Sequence, residues 1–112
     1  MTDLRSQQCS NLSSNDVALE DRQSTELVNQ LGPKWQLDKQ KQTISFTYEF
    51  KNYYQTMAFA NVIAQIAHQQ DHHPDLLITY NRCTVTYSTH SVYGLSLNDF
   101  ICAAKINAAQ TM

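Results

Sequence analysis

The stretch from residue 43 to residue 70 restricts the folds available to this chain more than any other. Ile44, Phe46, Tyr48 and Phe50 alternate with polar residues, the pattern of a β-strand with one buried face. Asn52 then stands at the position of a helix N-cap, and apolar residues recur every three or four positions over 53–70. The sequence therefore predicts an apolar sheet face followed directly by a long helix that covers it.

Both patterns recur on either side of this stretch. Gly32-Pro33 ends a first amphipathic helix, while Ser96 and Asp99 have the spacing of a capping box that opens a last helix. The predicted elements are a helix over 19–31, a hairpin of strands at 35–37 and 43–50, a helix over 53–70, strands over 76–81 and 83–89, and a helix from 96 to about 108. The order is α-β-β-α-β-β-α.

This order predicts the fold class. Short connections imply antiparallel pairing within each strand pair, and helices gathered on one face of such a sheet give a two-layer α+β domain. We therefore expect a four-stranded antiparallel sheet with three helices on one face. The exposed sheet edges favour pairing with a second copy of the chain.

The chain divides into a polar N-terminal arm, residues 1–18, and a single domain, residues 19–112. Apolar residues in the arm are too scattered to define a buried face, which predicts a mobile or loosely docked segment. A chain of 112 residues is long enough for one hydrophobic core, so a second domain is not expected.

Composition excludes several functional classes. The net charge is −2 and no run of Lys and Arg is present, which argues against nucleic-acid binding. No apolar stretch approaches the ~20 residues needed to span a bilayer, so we expect no membrane association and a cytoplasmic location. The three cysteines are odd in number and lack C-x-x-C spacing, which predicts reduced thiols.

Histidines are the candidate functional residues. His68, His72 and His73 lie within seven residues at the predicted end of the long helix, and His90 lies at the predicted end of the last strand. Imidazole titrates near pH ~6.5 and both donates and accepts protons near neutrality. Because the topology places these two element ends on the same side, the grouping indicates proton chemistry or metal binding.

Three interpretations compete for these histidines. His68 and His72 have the i, i+4 spacing of a metal-binding pair, but Gln69 stands where the zinc-protease motif has glutamate. Histidines also stabilise the negative end of a helix without further function. General acid–base catalysis needs paired groups that titrate near neutrality, which this cluster supplies. For Asp99, a capping role and a catalytic role both remain open.

At this point the residues resemble a known family, the pterin-4a-carbinolamine dehydratases, over about residues 19–108. The matching motifs, in order, are His72-His73-Pro74, Tyr80-Asn81, Ser88-Thr89-His90 and Gly94-Leu95-Ser96, followed by Asp99. His68 departs from the family, because many members carry glutamate there. The loss of that carboxylate is expected to alter the basicity of neighbouring groups or the orientation of the substrate.

The resemblance implies that the chain removes water from a 4a-hydroxytetrahydropterin to give a quinonoid dihydropterin, with no metal and no organic cofactor. It implies that the catalytic residues are His72, His73, His90 and Asp99. His72 and His90 are assigned to proton transfer on the two sides of the pterin ring, and His73 to binding and orientation. The implied substrate-binding residues are His72, His73, Pro74, Thr89, His90 and Ser91.

The resemblance also implies partners. Family members are commonly homo-oligomers, so we expect a homodimer or homotetramer, and the reaction links the chain to an aromatic amino acid hydroxylase whose pterin it recycles. A second hypothesis is a non-catalytic dimerisation partner or expression modulator of another protein, a role that some members have.

Overall fold

The structure, a computed structural model, describes residues 3–110 of the chain. Its helices are α1 (Asp21–Leu31), α2 (Tyr53–Gln70) and α3 (Leu97–Gln110), and its strands are β1 (Gln36–Asp38), β2 (Thr43–Glu49), β3 (Asp75–Ile78) and β4 (Arg82–Tyr87). Short 3₁₀ helices span Leu4–Ser6 and His90–Val92. The predicted order of helices and strands is confirmed. Among residues 3–110, no helix is long and apolar enough to cross a membrane.

Local capping signals set the helix ends. The side chain of Asn52 accepts a hydrogen bond from the backbone N–H of Gln55 at 2.9 Å, which confirms it as the N-cap of α2. Helix α2 ends where Asp71 adopts a left-handed conformation, with φ of 52°. Gly32, with φ of 110°, ends α1 as predicted, since glycine adopts such angles without steric cost.

The sheet has the strand order β1-β2-β4-β3, and every neighbouring pair is antiparallel. Both predicted hairpins are confirmed. The two hairpins join through β2 and β4, where Ile44 lies opposite Tyr87. This long-range pairing was not predicted by local patterns, and it leaves β1 and β3 as the sheet edges.

Two strands are shorter than predicted. Strand β3 ends at Ile78, because the chain turns over 79–81 with the N–H of Thr79 donating to the carbonyl of Arg82 at 2.9 Å. The prediction that the last strand reaches His90 is wrong, since β4 ends at Tyr87 and His90 opens a 3₁₀ helix. His90 therefore lies in a tight turn beyond the sheet.

One hydrophobic core lies between the sheet and the helices. The strands contribute Ile44, Tyr48, Cys83, Val85 and Tyr87, each at most 4% exposed. The helices contribute Phe59, Ile63, Phe100, Ile101 and Ile106 to the same cluster. The two-layer α+β class is thus confirmed, and burial of these apolar side chains is its main stabilising contribution.

The N-terminal arm contacts this core. Leu4 is only 5% exposed and belongs to the core cluster, a contact that the scattered apolar pattern did not predict. Further along, Ala18 packs against Gly94, where an added Cβ would lie 2.9 Å from the Ala18 Cβ. The division of the chain into arm and domain stays a prediction, but residues 3–10 and 18 lie against the domain.

Candidate active site

The backbone of His72 is held at the point where α2 gives way to β3. Its N–H donates to the carbonyl of Ala67 at 3.1 Å. Its carbonyl accepts from the hydroxyl of Tyr87 at 3.4 Å and contacts the thiol of Cys102 at 3.9 Å. The left-handed Asp71 turns the chain into this position. The helix end, β4 and α3 therefore all fix the location of His72.

The ring of His72 is equally restrained. Its Nε2 lies 2.6 Å from Oδ1 of Asp99, a short hydrogen bond of the charge-assisted kind. The ring stacks on Tyr87, with centroids 5.3 Å apart and planes 16° from parallel. The His72 side chain is 13% exposed, so it is largely removed from solvent but still reachable.

Asp99 lies in the first turn of α3 and is fully buried. Its second oxygen, Oδ2, accepts from the Thr89 hydroxyl at 2.8 Å and from the Ser96 backbone N–H at 3.0 Å. The hydroxyls of Thr89 and Ser96 lie 2.7 Å apart. The same carboxylate thus caps α3 and binds His72, so its capping contact and its contact with the histidine occur together.

This environment changes the acid strength of His72. Burial disfavours the imidazolium and lowers the pKa, but the hydrogen bond and negative charge of Asp99 raise it by more, with smaller upward contributions from Cys102 and Asp71. The net result is a His72 pKa above its usual value. The protonated form is therefore favoured at neutral pH relative to a free histidine.

A cavity of about 390 Å³ lies at this corner. His72, His73 and Pro74 line it together with His68. His68 and His73 are exposed, whereas His72 is mostly covered. The structure therefore brings the first half of the predicted site together around one opening.

The second half of the predicted site lines a different cavity. His90 is exposed and, with Thr89, borders an opening of about 280 Å³ on the β4–α3 connection. Ser91 follows in the same 3₁₀ helix and is partly exposed. Thr89 links the two cavities, because its hydroxyl binds the carboxylate of Asp99 that also binds His72. These contacts connect His72, through Asp99, to the residue that precedes His90.

Tyr87 and Ser96 take part in the site without having been assigned to it from the sequence. Tyr87 supports the His72 ring and backbone, and Ser96 binds Asp99. Tyr87 stands between the polar residues Thr86 and Ser88, an alternation typical of a half-buried strand, and this was the available signal. Its contact with His72 depends on tertiary packing that alternation does not specify.

Two further observations concern the metal interpretation and the other cavities of the protein. Within the described part of the chain, no group of three or more His, Cys, Asp and Glu side chains is arranged to hold a metal ion. A larger opening, of about 760 Å³, lies beside β1 and β2 and is bordered by Lys34, Phe46 and Glu49 without a histidine. We therefore assign the candidate chemistry to the His72 corner, where titrating groups converge.

Comparisons with known proteins agree on one family. Residues 17–109 match the family described as pterin 4 alpha carbinolamine dehydratase. A relative from Nitrosomonas eutropha, named provisionally as a pterin-4-alpha-carbinolamine dehydratase, is 48% identical over 105 residues, covering 94% of this chain and 91% of its own. A Legionella pneumophila protein with the same provisional name is 45% identical over 106 residues, covering 95% and 94%.

Solved structures show the same fold. A crystal structure named as a transcriptional coactivator/pterin dehydratase from Brucella melitensis has a TM-score of 0.76 and 32% identity, covering 81% of this chain and 96% of its own. A pterin dehydratase-like protein named as a RuBisCO assembly factor of the alpha-carboxysome has a TM-score of 0.59 and 18% identity, covering 70% and 90%, a likeness of fold alone. By the match over 17–109 and by these identities, the chain belongs to the pterin 4 alpha carbinolamine dehydratase family.

Proposed function

We propose that this chain catalyses dehydration of a 4a-hydroxytetrahydropterin to the quinonoid dihydropterin and water. The observation that carries the proposal is the 2.6 Å hydrogen bond between His72 and the buried Asp99 at the edge of a cavity. A carboxylate that fixes an imidazole and raises its pKa is an arrangement suited to proton transfer. The family of the chain supplies the substrate class.

His72 is the proposed general acid. With Nε2 bound to Asp99, the imidazolium has Nδ1–H as the proton that it can give to another group. Transfer of that proton to the hydroxyl on C4a makes the leaving group water. The raised His72 pKa makes this acid form more populated near neutrality than in a free histidine, because Asp99 stabilises the positive charge.

His90 is the proposed base, which accepts the proton lost from N5 of the pterin as the new double bond forms. His73 is proposed to bind and orient the ring, with Pro74, Thr89 and Ser91 contributing backbone contacts to its pyrimidine edge. These assignments follow the family motifs. The link through Thr89 and Asp99 supports a coupled arrangement of the two halves.

The expected size of the effect is that of ordinary acid–base catalysis. Positioned proton transfer contributes roughly 10²- to 10⁴-fold in rate. The reaction needs neither hydride transfer nor a covalent intermediate, because a proton is added at oxygen and another is removed at nitrogen. The proposed reaction therefore requires only the histidine side chains and no cofactor.

A direct assay tests the proposal. Purified chain is added to freshly generated 4a-hydroxytetrahydropterin, and the absorbance change of dehydration is followed against buffer, with and without a metal chelator. We expect acceleration over buffer that the chelator does not change. A rate equal to that in buffer would overturn the enzymatic proposal. Loss of rate on chelation would show that the catalysis depends on a metal ion.

The cellular setting is also proposed. The dehydration would take place in the cytoplasm. It would return the pterin of an aromatic amino acid hydroxylase to a form that a reductase can recycle.

A homodimer or homotetramer through the free edge of β3 is supported by Leu76 and Leu77, which are 36% and 65% exposed there. Sedimentation of the purified chain measures that assembly directly.

A second candidate function is that of a non-catalytic partner of another protein. The coactivator named in the Brucella melitensis structure favours it, since that relative is 32% identical to this chain. The two functions separate in one comparison. A chain that acts only as a partner shows no dehydration above buffer, and substitution of His72 leaves its partner binding intact.

A further inference from the structure

Residues 8–10, here called the clasp, hold the ends of two helices together. The N–H of Cys9 donates to Oε1 of Gln70, the last residue of α2, at 2.8 Å, and Nε2 of Gln70 donates to Oε1 of Gln8 at 2.8 Å. On the other side, the N–H of Ser10 donates to Oδ1 of Asn98 at 3.1 Å, and Nδ2 of Asn98 donates to the carbonyl of Ser10 at 2.8 Å. The clasp therefore has a fixed position on both helices.

The clasp places two thiols in contact. Sγ of Cys9 lies 3.6 Å from Sγ of Cys102 on α3. Both are free thiols; Cys9 is partly exposed, whereas Cys102 is fully buried. A disulfide has an S–S length of ~2.05 Å, so closure needs a sulfur displacement of only about 1.5 Å. Rotation of the Cys9 side chain on the surface arm is the simplest source of that displacement.

We propose that Cys9 and Cys102 form a redox-modification site, which a peroxide closes into a disulfide that locks the clasp onto α3. The proposal does not rest on the proposed dehydratase function. The clasp lies outside residues 17–109, the part of the chain that the family model matches, whereas Cys102 lies within it.

The two thiols have different roles in the proposed step. The hydrogen bond from Cys102 lowers the pKa of Cys9, burial opposes this, and the charge of Lys105 assists it, so that the net pKa of Cys9 is below its usual value. The hydrogen bond to Cys9 and burial raise the pKa of Cys102. Cys9 is thus the attacking thiolate, because it is both the more acidic and the more exposed of the pair.

The chemistry balances in two steps. The Cys9 thiolate attacks hydrogen peroxide, breaks the O–O bond and becomes a sulfenic acid as hydroxide leaves. The sulfur of Cys102 then attacks the Cys9 sulfur, forms the S–S bond and displaces the sulfenic oxygen as water after proton transfer. Two thiols are oxidised, one peroxide is reduced to two waters, and a dithiol reductant reverses the change by exchange.

The disulfide would constrain the unfolded chain. It joins positions 93 residues apart, so it closes a long loop and removes many conformations from the denatured ensemble. Disulfides typically shift the unfolding equilibrium constant by roughly 30- to 1,000-fold towards the native state. The oxidised form should accordingly unfold at a higher denaturant concentration than the reduced form.

The first test is covalent. The full chain is treated with stoichiometric hydrogen peroxide, remaining thiols are alkylated, and peptide mapping with intact mass locates the cross-link. We expect an intramolecular Cys9–Cys102 disulfide that dithiothreitol removes. The same product should form in Cys83→Ala, the matched control for the third, buried cysteine, and should be absent in Cys9→Ser. Failure to cross-link, or cross-links only between molecules or to Cys83, would overturn the proposal.

The second test is the unfolding midpoint of the same samples. Peroxide should raise the midpoint of wild type, dithiothreitol should restore it, and Cys9→Ser should show no peroxide-dependent rise. Because Cys9 lies on the surface arm, this variant is expected to fold. An equal rise of the unfolding midpoint in Cys9→Ser would contradict a stabilising disulfide between Cys9 and Cys102.

Discussion

The two connections that carry the histidines differ in how firmly they hold them. At the α2–β3 connection, His72 is 13% exposed, stacked on Tyr87 and bound to a buried carboxylate. At the β4–α3 connection, His90 is exposed and opens a short 3₁₀ helix. Both positions belong to the same predicted site, yet the protein restrains one imidazole and leaves the other at the surface.

We propose that this difference gives the two residues separate tasks. A buried imidazole paired with Asp99 keeps its proton to higher pH, which suits an acid. An exposed imidazole can be reached by a bound substrate, which suits a base in the proposed reaction. The shared contact is Thr89, which precedes His90 and donates to Asp99.

Removal of the restrained imidazole should have the largest effect. We expect His72→Gln to lower the dehydration rate by roughly 10²- to 10⁴-fold, because the proposed acid is lost. His68→Gln is the matched control, since it removes another imidazole lining the same cavity, and should change the rate by less than about tenfold because that imidazole is not assigned to proton transfer. Equal losses in the two variants would show that the pairing with Asp99 has no special role.

Removal of the exposed imidazole should have a smaller effect on rate. We expect His90→Gln to lower kcat by about 10²-fold, at the lower end for general catalysis, because water can substitute in part for an exposed base. Added imidazole should restore part of this rate, and should restore less in His72→Gln, whose site is mostly covered. Steady-state kinetics with and without imidazole measure both. Equal rescue of the two variants would contradict the difference in access.

The stability of the two regions should also differ. Asp99→Ala removes the acceptor of Thr89, Ser96 and His72 in a buried site, and should lower the free energy of unfolding by roughly 2–4 kcal/mol. Asp75→Ala, at an exposed position of β3, should change it by less than about 0.5 kcal/mol. Urea unfolding measures the two free energies. Comparable losses in the two variants would contradict a stabilising role for the hydrogen bonds of Asp99.

The smallest expected effect is a pH dependence of stability. The pKa of His72 is raised on folding, so its pairing stabilises the native state fully below the unfolded pKa of about 6.5, and this stabilisation is lost as pH rises through the folded value. The difference in unfolding free energy between wild type and His72→Gln should therefore be larger near pH ~6 than near pH ~9. A difference that grows with pH would contradict the sign of the shift.

Much of the fold could be predicted from local sequence. Alternation from Ile44 to Phe50 and the Asn52 cap specified a strand and a helix whose start the structure confirms. The β2–β4 pairing could not be predicted, since it joins residues far apart in sequence and depends on how the hairpins pack together. The same limit applies to Leu4, whose burial depends on a surface formed by other elements.

The sequence selects the residues of the candidate site, which stay a prediction, but it does not specify their arrangement. Histidine chemistry and the ordered motifs selected His72, His73, His90 and Asp99. Spacing alone left the Asp99 side chain as either a cap or a site residue, and the structure shows one carboxylate making contacts of both kinds, with Ser96 and with His72. The separation of His90 into another cavity follows from the 3₁₀ turn after β4, which strand alternation did not reveal.

The proposed mechanism depends most on Asp99 holding His72 as an acid, and the pH profile of kcat/KM in Asp99→Asn tests this directly. The amide can still accept from Ser96, but its NH₂ group would face His72 Nε2 and disfavour the imidazolium. We predict that the limb on which activity falls as pH rises moves to lower pH than in wild type, with a lower rate at neutral pH. An unchanged profile, with the variant folded and active, would contradict the account.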